Sequence, residues 1–352
     1  MTPFPVKMKI LSAFIAVLVA VSSKASEPDW MTSGRFAWTS SAPLISPEKH
    51  SDDAYFSVKD PSVVYHGGKY HVFMTIRGEK RSHQIEYISF ANWDETHKAE
   101  RQILKIHPGY FCAPQVFYFT PHKKWYLICQ DSELAWNKST GADGGYGAVF
   151  ATTDDISKPD SWSSLKPLGA RKVGNNAGLD FWIICDAEKA YLFFTTNRDG
   201  KMWREETTLA RFPAGWSEPQ LAIQDDIFEA SHIYKIKGSE KYLAVIEAQN
   251  GPGWRYYKAY LADRLDGTWL PLAATKKKTF AGKNNVTFPS GNSWADSISH
   301  IELIRSGSDE HLEIDPNNLM LLYQGVLDND TTGRPYGQIP WRLGLLKSTT
   351  TN

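Results

Sequence analysis

Cysteine, net charge, helical periodicity and long apolar runs are all scarce in this sequence, and each scarcity closes off a class of protein. Only 3 of its 352 residues are cysteine, too few for a disulfide framework, and the odd number leaves at least one thiol unpaired. Cys112, Cys129 and Cys185 lie in apolar, strand-like runs, where a small buried hydrophobe is the ordinary reading. They have neither nearby histidine nor the C-x-x-C spacing of a zinc site, and "HGGKYH" has two histidines in the wrong context for one. Lys plus Arg and Asp plus Glu both total 39, a formal net charge of +0. That balance removes the electrostatic reason to expect nucleic acid or an anionic membrane as a partner. The P-loop, the G-x-S-x-G elbow and the dinucleotide fingerprint are missing too.

The one sustained apolar run, Ile10 to Val21, follows Lys7 and Lys9 and precedes the small residues of Ser23-Lys24-Ala25. A bilayer needs roughly 20 apolar residues, so the pattern reads as an export signal over residues 1–25. The mature chain, residues 26–352, is expected to be soluble, secreted and one domain. The chain ends six residues after Leu346, so no added carbohydrate-binding module is expected. Sequons at Asn137, Asn285 and Asn329 are candidate glycan sites on loops if the source is eukaryotic.

What is abundant is aromatic: 13% of the chain, with 13 Trp and 16 Tyr. Flat amphipathic rings serve sugar surfaces, but they also favour strands and β-rich cores, so composition leans only modestly toward carbohydrate. After residue 30, short Val, Ile, Tyr, Phe and Trp runs recur between Gly, Asp, Asn and Pro clusters, the pattern of an all-β chain. One unit repeats five times: a polar residue, a strand, a tight turn, a second strand. The copies open at "KDPSVVYHGGKYHVFMT", "APQVFYFTPHKKWYLICQ", "LDFWIICDAEKAYLFFTT", "FEASHIYKIKGSEKYLAVIEA" and "ISHIELIRSGSDEHLEI". A third strand follows each, as in "IEYISFANW" and "IPWRLGLLK". The polar leaders Asp60, Gln115, Asp180, Glu229 and His300 are about 49 to 71 positions apart, which suits four-stranded blades of a five-bladed β-propeller. "RFAWTSSAPLIS" is expected to supply a strand where the first and last blades meet. A closed propeller has no need of a partner, so a monomer is expected.

Propeller geometry brings equivalent positions of the innermost strands to one end of the axis, so the five leaders should ring one pocket. Singly, each has a structural explanation: Asp60 before Pro61 is turn chemistry, Asp180 could bind backbone donors, and Glu229 could be a solvated strand end. Together, three converging carboxylates suit glycoside hydrolysis, in which one acid protonates the leaving oxygen and another carboxylate activates water or attacks C1. The acid needs burial or a like-charged neighbour to hold its proton, and Asp180 could supply that charge. His300 could be a general base, a core histidine or the ligand of an oxygen-liking cation such as Ca²⁺.

With those residues in place, the segments "KDPSVVYHGGKYHVF", "APQVFYF", "LDFWIICD", "FEASHIYK", "LDGTWLPLAA", "DSISH" and "PWRLGLL" resemble, in order and from about Phe36 to Lys347, the secreted α-L-arabinofuranosidases of glycoside hydrolase family 62. The resemblance implies a five-bladed propeller and an inverting, exo-acting hydrolase that removes single arabinofuranosyl groups from arabinoxylan. By motif it implies Asp60 as general base, Glu229 as general acid and Asp180 as the carboxylate tuning and orienting that acid. Lys59, Gln115, His300 and Tyr336 would line the sugar pocket. His300 would also ligate an axial Ca²⁺ that plays no part in the chemistry. Two positions depart from the family pattern: Ile301 stands where a glycine is expected, and Lys258 where an arginine is expected. A related propeller arabinanase or β-xylosidase, or a propeller that binds sugar without turnover, is the alternative.

Overall fold

Gly67 and Gly68 adopt φ of 56° and 79°, which glycine accepts at little cost, and so join Tyr55–His66 to Lys69–Gly78 as a hairpin. That hairpin is the start of the first of five mainly antiparallel sheets in the computed structural model. The structure describes residues 1–2, 27–48, 53–132, 146–170, 173, 178–196, 199–249, 254–289, 291 and 293–350. Residues 3–25 of the expected export signal and the Asn137 sequon lie outside these residues. No helix among them is long and apolar enough to cross a membrane.

Each sheet has the order anticipated from the repeat. The innermost strands are Tyr55–His66, Phe111–Phe119, Gly178–Cys185, Ser231–Ile236 and Ser297–Leu303. Next to them run Lys69–Gly78, Lys124–Asp131, Lys189–Thr196, Tyr242–Gln249 and Met320–Val326, and then the third strands. The chain is a five-bladed propeller. Its fifth sheet is completed by Trp38–Ser40, which pairs antiparallel with Arg342–Ser348, so the early segment closes the ring as expected. Buried tryptophans stitch neighbouring blades through their indole N–H groups: Trp182 to the Ile233 carbonyl at 2.9 Å and Trp216 to the Leu168 carbonyl at 3.0 Å. Much of the aromatic content is therefore the cement of the core. The cysteines are all free and buried.

A backbone feature marks the same point of every blade. Asp60, Ala113, Asp180, Ala230 and His300 have φ between 37° and 53°, a left-handed conformation that costs a residue with a Cβ roughly 1–2 kcal/mol. In four blades the ladder slips a register there; in the fourth, Ala230 immediately precedes the strand. Each left-handed residue donates its N–H to a side-chain oxygen of the preceding blade. Asp60 reaches Gln324 Oε1 at 2.7 Å, Ala113 reaches Thr75 Oγ1 at 2.9 Å and Asp180 reaches Gln130 Oε1 at 3.2 Å. Ala230 reaches Asp180 Oδ2 at 3.0 Å and His300 reaches Glu247 Oε2 at 2.8 Å. The strain is thus held by a ring of latches around the axis. Further along the inner strands, Arg305 donates to the carbonyls of Val63 and Val116 at 2.8 Å each and pairs with buried Glu302, tying three blades together.

The Asn285 sequon is structural. Its amide nitrogen donates to the carbonyls of Phe36, Thr279 and Phe280, bonds that a glycan on that nitrogen would break. Asn329 is exposed.

Candidate active site

Antiparallel blades bring three kinds of position to one end of the axis: the start of the inner strand, the end of the second and the start of the third. A cavity of about 220 Å³ opens there, lined by Lys59, Asp60, Asp180, Glu229, His300 and Tyr336 together with His83, Tyr110, Gln130 and Arg255. It is smaller than the roughly 300–1,000 Å³ of sites that take drug-sized ligands, and its lining is that of a pocket for one small polar ring. A larger groove of about 1060 Å³ runs over Arg81, Arg101, Lys105 and His107, and none of Asp60, Asp180 and Glu229 lines it.

Asp60 is buried, with Lys59 Nζ at 3.6 Å from Oδ2 and His300 Nδ1 at 3.3 Å from Oδ1. Burial pushes its carboxyl up, but Lys59, His300 and the Thr75 hydroxyl outweigh that and hold it below the usual carboxylate range. The aspartate is an anion poised to accept a proton. Burial also works to strip the Lys59 ammonium, yet Asp60 and the other acids push its pKa up. Burial holds the His300 imidazole below its ordinary value, although Asp60 and Glu229 pull the other way. His83 is driven down to about 3 by burial and by Lys59, so it stays neutral.

Asp180 has the opposite environment. Burial and the charges of Glu229 and Asp60 push its carboxyl well above the usual range, against the Ala230 N–H that its Oδ2 accepts. Asp180 and Glu229 lie on neighbouring blades, and burial together with that like charge favours the protonated form of Asp180. Glu229 Oε1 accepts from Arg255 Nη1 at 2.9 Å. The guanidinium also sits 4.8 Å from the Phe228 ring centre and 5.4 Å from that of Trp341, and the Lys59 ammonium lies 5.1 Å from that of Tyr336.

The structure therefore brings together Lys59, Asp60, Asp180, Glu229, His300 and Tyr336, and leaves out Gln115. Gln115 is buried off the cavity, its amide bonded on both sides to the Ile183 backbone at 2.6 and 2.7 Å. The expectation that it lines the pocket is corrected: the left-handed residue of its blade is Ala113, and two residues further on the strand has already descended. Ile301 is fully buried and donates its N–H to the Tyr257 hydroxyl at 3.0 Å. The left-handed turn is made by His300, so this departure does not reach the cavity. Lys258 is buried and paired at 3.2 Å with the exposed Asp225, away from the cavity lining.

Arg255, His83, Gln130 and Tyr110 escaped the sequence reading. Arg255 and His83 are the first residues of third strands and Gln130 lies near the end of a second strand, so the strand pattern itself carried the signal. Tyr110 stacks on Tyr146 at 5.2 Å and 21° at the pocket wall. No group of three His, Cys, Asp or Glu among the described residues is arranged to hold a metal ion. His300 directs Nδ1 at Asp60, and the ring of His232 on the adjacent fourth blade lies 5.2 Å away. Ca²⁺ takes water as well as protein oxygens, so an axial ion here would be held by His300 and be otherwise largely hydrated.

Glycosyl hydrolase family 62 matches the chain over residues 37–347. The chain is 40% identical over 319 residues to alpha-L-arabinofuranosidase C of Cellvibrio japonicus (strain Ueda107), covering 88% of this chain and 46% of that protein. It thus spans about half the length of this relative. It also resembles the catalytic domain of a family 62 α-L-arabinofuranosidase from Coprinopsis cinerea, with a TM-score of 0.80 and 38% identity over 90% of this chain and 98% of that one. A family 62 hydrolase in complex with xylotriose matches with a TM-score of 0.80 and 35% identity, covering 90% and 99%.

Proposed function

The chain belongs to glycosyl hydrolase family 62, and from that premise we propose that it is a secreted, inverting α-L-arabinofuranosidase that releases single arabinofuranosyl side groups from arabinoxylan. The observation that carries the reading is a small pocket in which a carboxylate held in its charged form, Asp60, shares the walls with Glu229 and with Asp180, whose carboxyl is pushed up by burial and by the charge of Glu229. Two carboxyl groups with their proton affinities pushed apart are what acid–base glycoside cleavage needs.

In this reading Asp60 accepts a proton from a water attacking the anomeric carbon, while Glu229 delivers its proton to the departing glycosidic oxygen. Lys59 holds Asp60 charged, and Asp180 orients the Glu229 segment through the Ala230 N–H. Neutral His300 and His83, with Lys59 and Tyr336, offer hydrogen bonds to sugar hydroxyls. The small cavity admits one furanose ring and leaves the polymer outside, which supports exo action. The xylotriose complex of a related hydrolase supports a xylan main chain at the rim. The signal-like residues 1–25 support export.

Proton NMR of arabinoxylan digestion tests the proposal. Free arabinose should appear first as the β-anomer. Initial α-anomer would overturn inversion, and release of xylose or arabino-oligosaccharides in place of arabinose would overturn the substrate assignment.

A further inference from the structure

Five second-strand residues face the residue that precedes a left-handed turn. Four are neutral: Thr75 opposite Lys59, Gln130 opposite Cys112, Thr195 opposite Leu179 and Gln324 opposite Ser299. The fourth blade has Glu247 there, its N–H on the Glu229 carbonyl at 3.1 Å. As a latch for His300 an amide oxygen would suffice, since Gln130 and Gln324 hold Asp180 and Asp60 that way. A fully buried carboxylate is a costly replacement for an amide. Its charge needs a separate reason.

The partners supply one. Arg255 Nη1 donates to Glu229 Oε1 and to Glu247 Oε1, both at 2.9 Å. Glu247 Oε2 accepts from the Ser299 hydroxyl and the His300 N–H, both at 2.8 Å. A guanidinium facing Glu229 alone would stabilise its carboxylate and disfavour the proton that a general acid must deliver. A second carboxylate on the same nitrogen draws that cation away. Resting on the reading of Glu229 as proton donor, we propose that Glu247 is a positioning residue that keeps the proton on Glu229 by sharing Arg255 with it.

Glu247 does not line the cavity, and Arg255 is the group through which it is hydrogen-bonded to Glu229. Burial pushes its carboxyl up, to about 7, with Arg255 pulling down and Glu229 pushing up. Glu247 is therefore most fully charged on the basic side of the profile, and that is where sharing of the arginine acts. The other charged or titratable groups around Glu229 are Asp180, Lys59, His300, Tyr257 and Tyr336. Around Glu247 they are Asp180 and the Tyr257 hydroxyl, 3.5 Å away. Of all these groups, Arg255 is the one that hydrogen-bonds both glutamates.

The test is the pH profile of kcat/KM on arabinoxylan for wild type, Glu247→Gln, Glu247→Asp and Arg255→Gln. Glu247→Gln keeps the latch in the form two other blades use but returns the whole cation to Glu229, so the basic limb should move to lower pH by about one unit or more. Arg255→Gln should move it to higher pH, and Glu247→Asp, which keeps the charge, should leave it near wild type. A rate loss at every pH with the limb of Glu247→Gln unmoved, or shifts of the same sign in Glu247→Gln and Arg255→Gln, would overturn the proposal. If Glu247→Gln fails to fold, Arg255→Gln decides, and an unmoved or lowered limb defeats the idea. The parent reading fails separately: wild type that releases no arabinose, or Glu229→Gln that loses less than about tenfold on arabinoxylan, removes the acid itself.

Discussion

In the first blade the inner strand turns left-handed at Asp60, and in the second at Ala113, with φ of 48° and 53°. Both residues hang from the preceding blade by their N–H groups, and both reach the cavity. The side chains then part company. Asp60 places a carboxylate against Lys59 and His300, whereas the polar residue of the second blade, Gln115, has moved below the pocket and clamps the Ile183 backbone of the third. On the proposed reading, the same turn can therefore carry either a reacting group or only the wall of a cavity. The repeat supplies the geometry, and one side chain per blade decides whether chemistry is done with it.

The comparison breaks most visibly at Asp60. Asp60→Ala should lower kcat on arabinoxylan by about 10²–10⁴-fold, the scale of general base catalysis, with the melting temperature little changed; a loss below tenfold would show that the first blade is no more catalytic than the second. Gln115→Ala should do the reverse. It leaves the buried Ile183 N–H and carbonyl without partners, at roughly 1–3 kcal/mol each, so urea unfolding should shift markedly while kcat/KM of the folded enzyme stays within about twofold.

A subtler probe sharpens the electrostatics. As the proposed base, Asp60 must be ionised to act, and Lys59 helps hold its carboxyl down, so Lys59→Met should move the acid limb of the pH–rate profile upward, by about one unit. An acid limb that stays in place would mean that His300 and Thr75 suffice. The smallest effect is expected at Ala113. Glycine there relieves a left-handed strain of roughly 1–2 kcal/mol but adds about 0.4–1 kcal/mol of unfolded-state entropy, so Ala113→Gly should stabilise by around 0.5–1 kcal/mol. A lower melting temperature would show that the second turn is not strained.

The fivefold order was legible because hairpin turns such as Gly67-Gly68 and the recurring strand pairs punctuate the chain at a blade's spacing. Asp60 and Asp180 were legible because an acid there opens a strand run. The true point of equivalence was not, because it is a backbone conformation, and alanine occupies it in two blades. Aligning the copies by their polar residues therefore put Gln115 two positions past the turn and Glu229 one before it. Arg255 and Glu247 were hidden differently: both belong to outer strands, and only the antiparallel reversal of direction carries the end of a second strand and the start of a third to the axis. Without that step, Arg255 reads as an ordinary edge cation and Glu247 as part of a hydrophobic run.

The fifth blade is assembled from both halves of the chain, with Ser40 and Tyr323 joined by their hydroxyls at 2.7 Å across 283 positions. This has a consequence for the order of events during synthesis. The Trp38–Ser40 strand emerges among the first folded residues but meets Val286–Thr287 only late and its antiparallel partner Arg342–Ser348 last of all. Contacts of such separation are slow to form, so the ring stays open while four blades can already pair internally. His300 and Gln324, which hold Asp60 from the fifth blade, arrive only near the end. The pocket is a late product of folding, and a nascent chain carries its carboxylates long before it can use them.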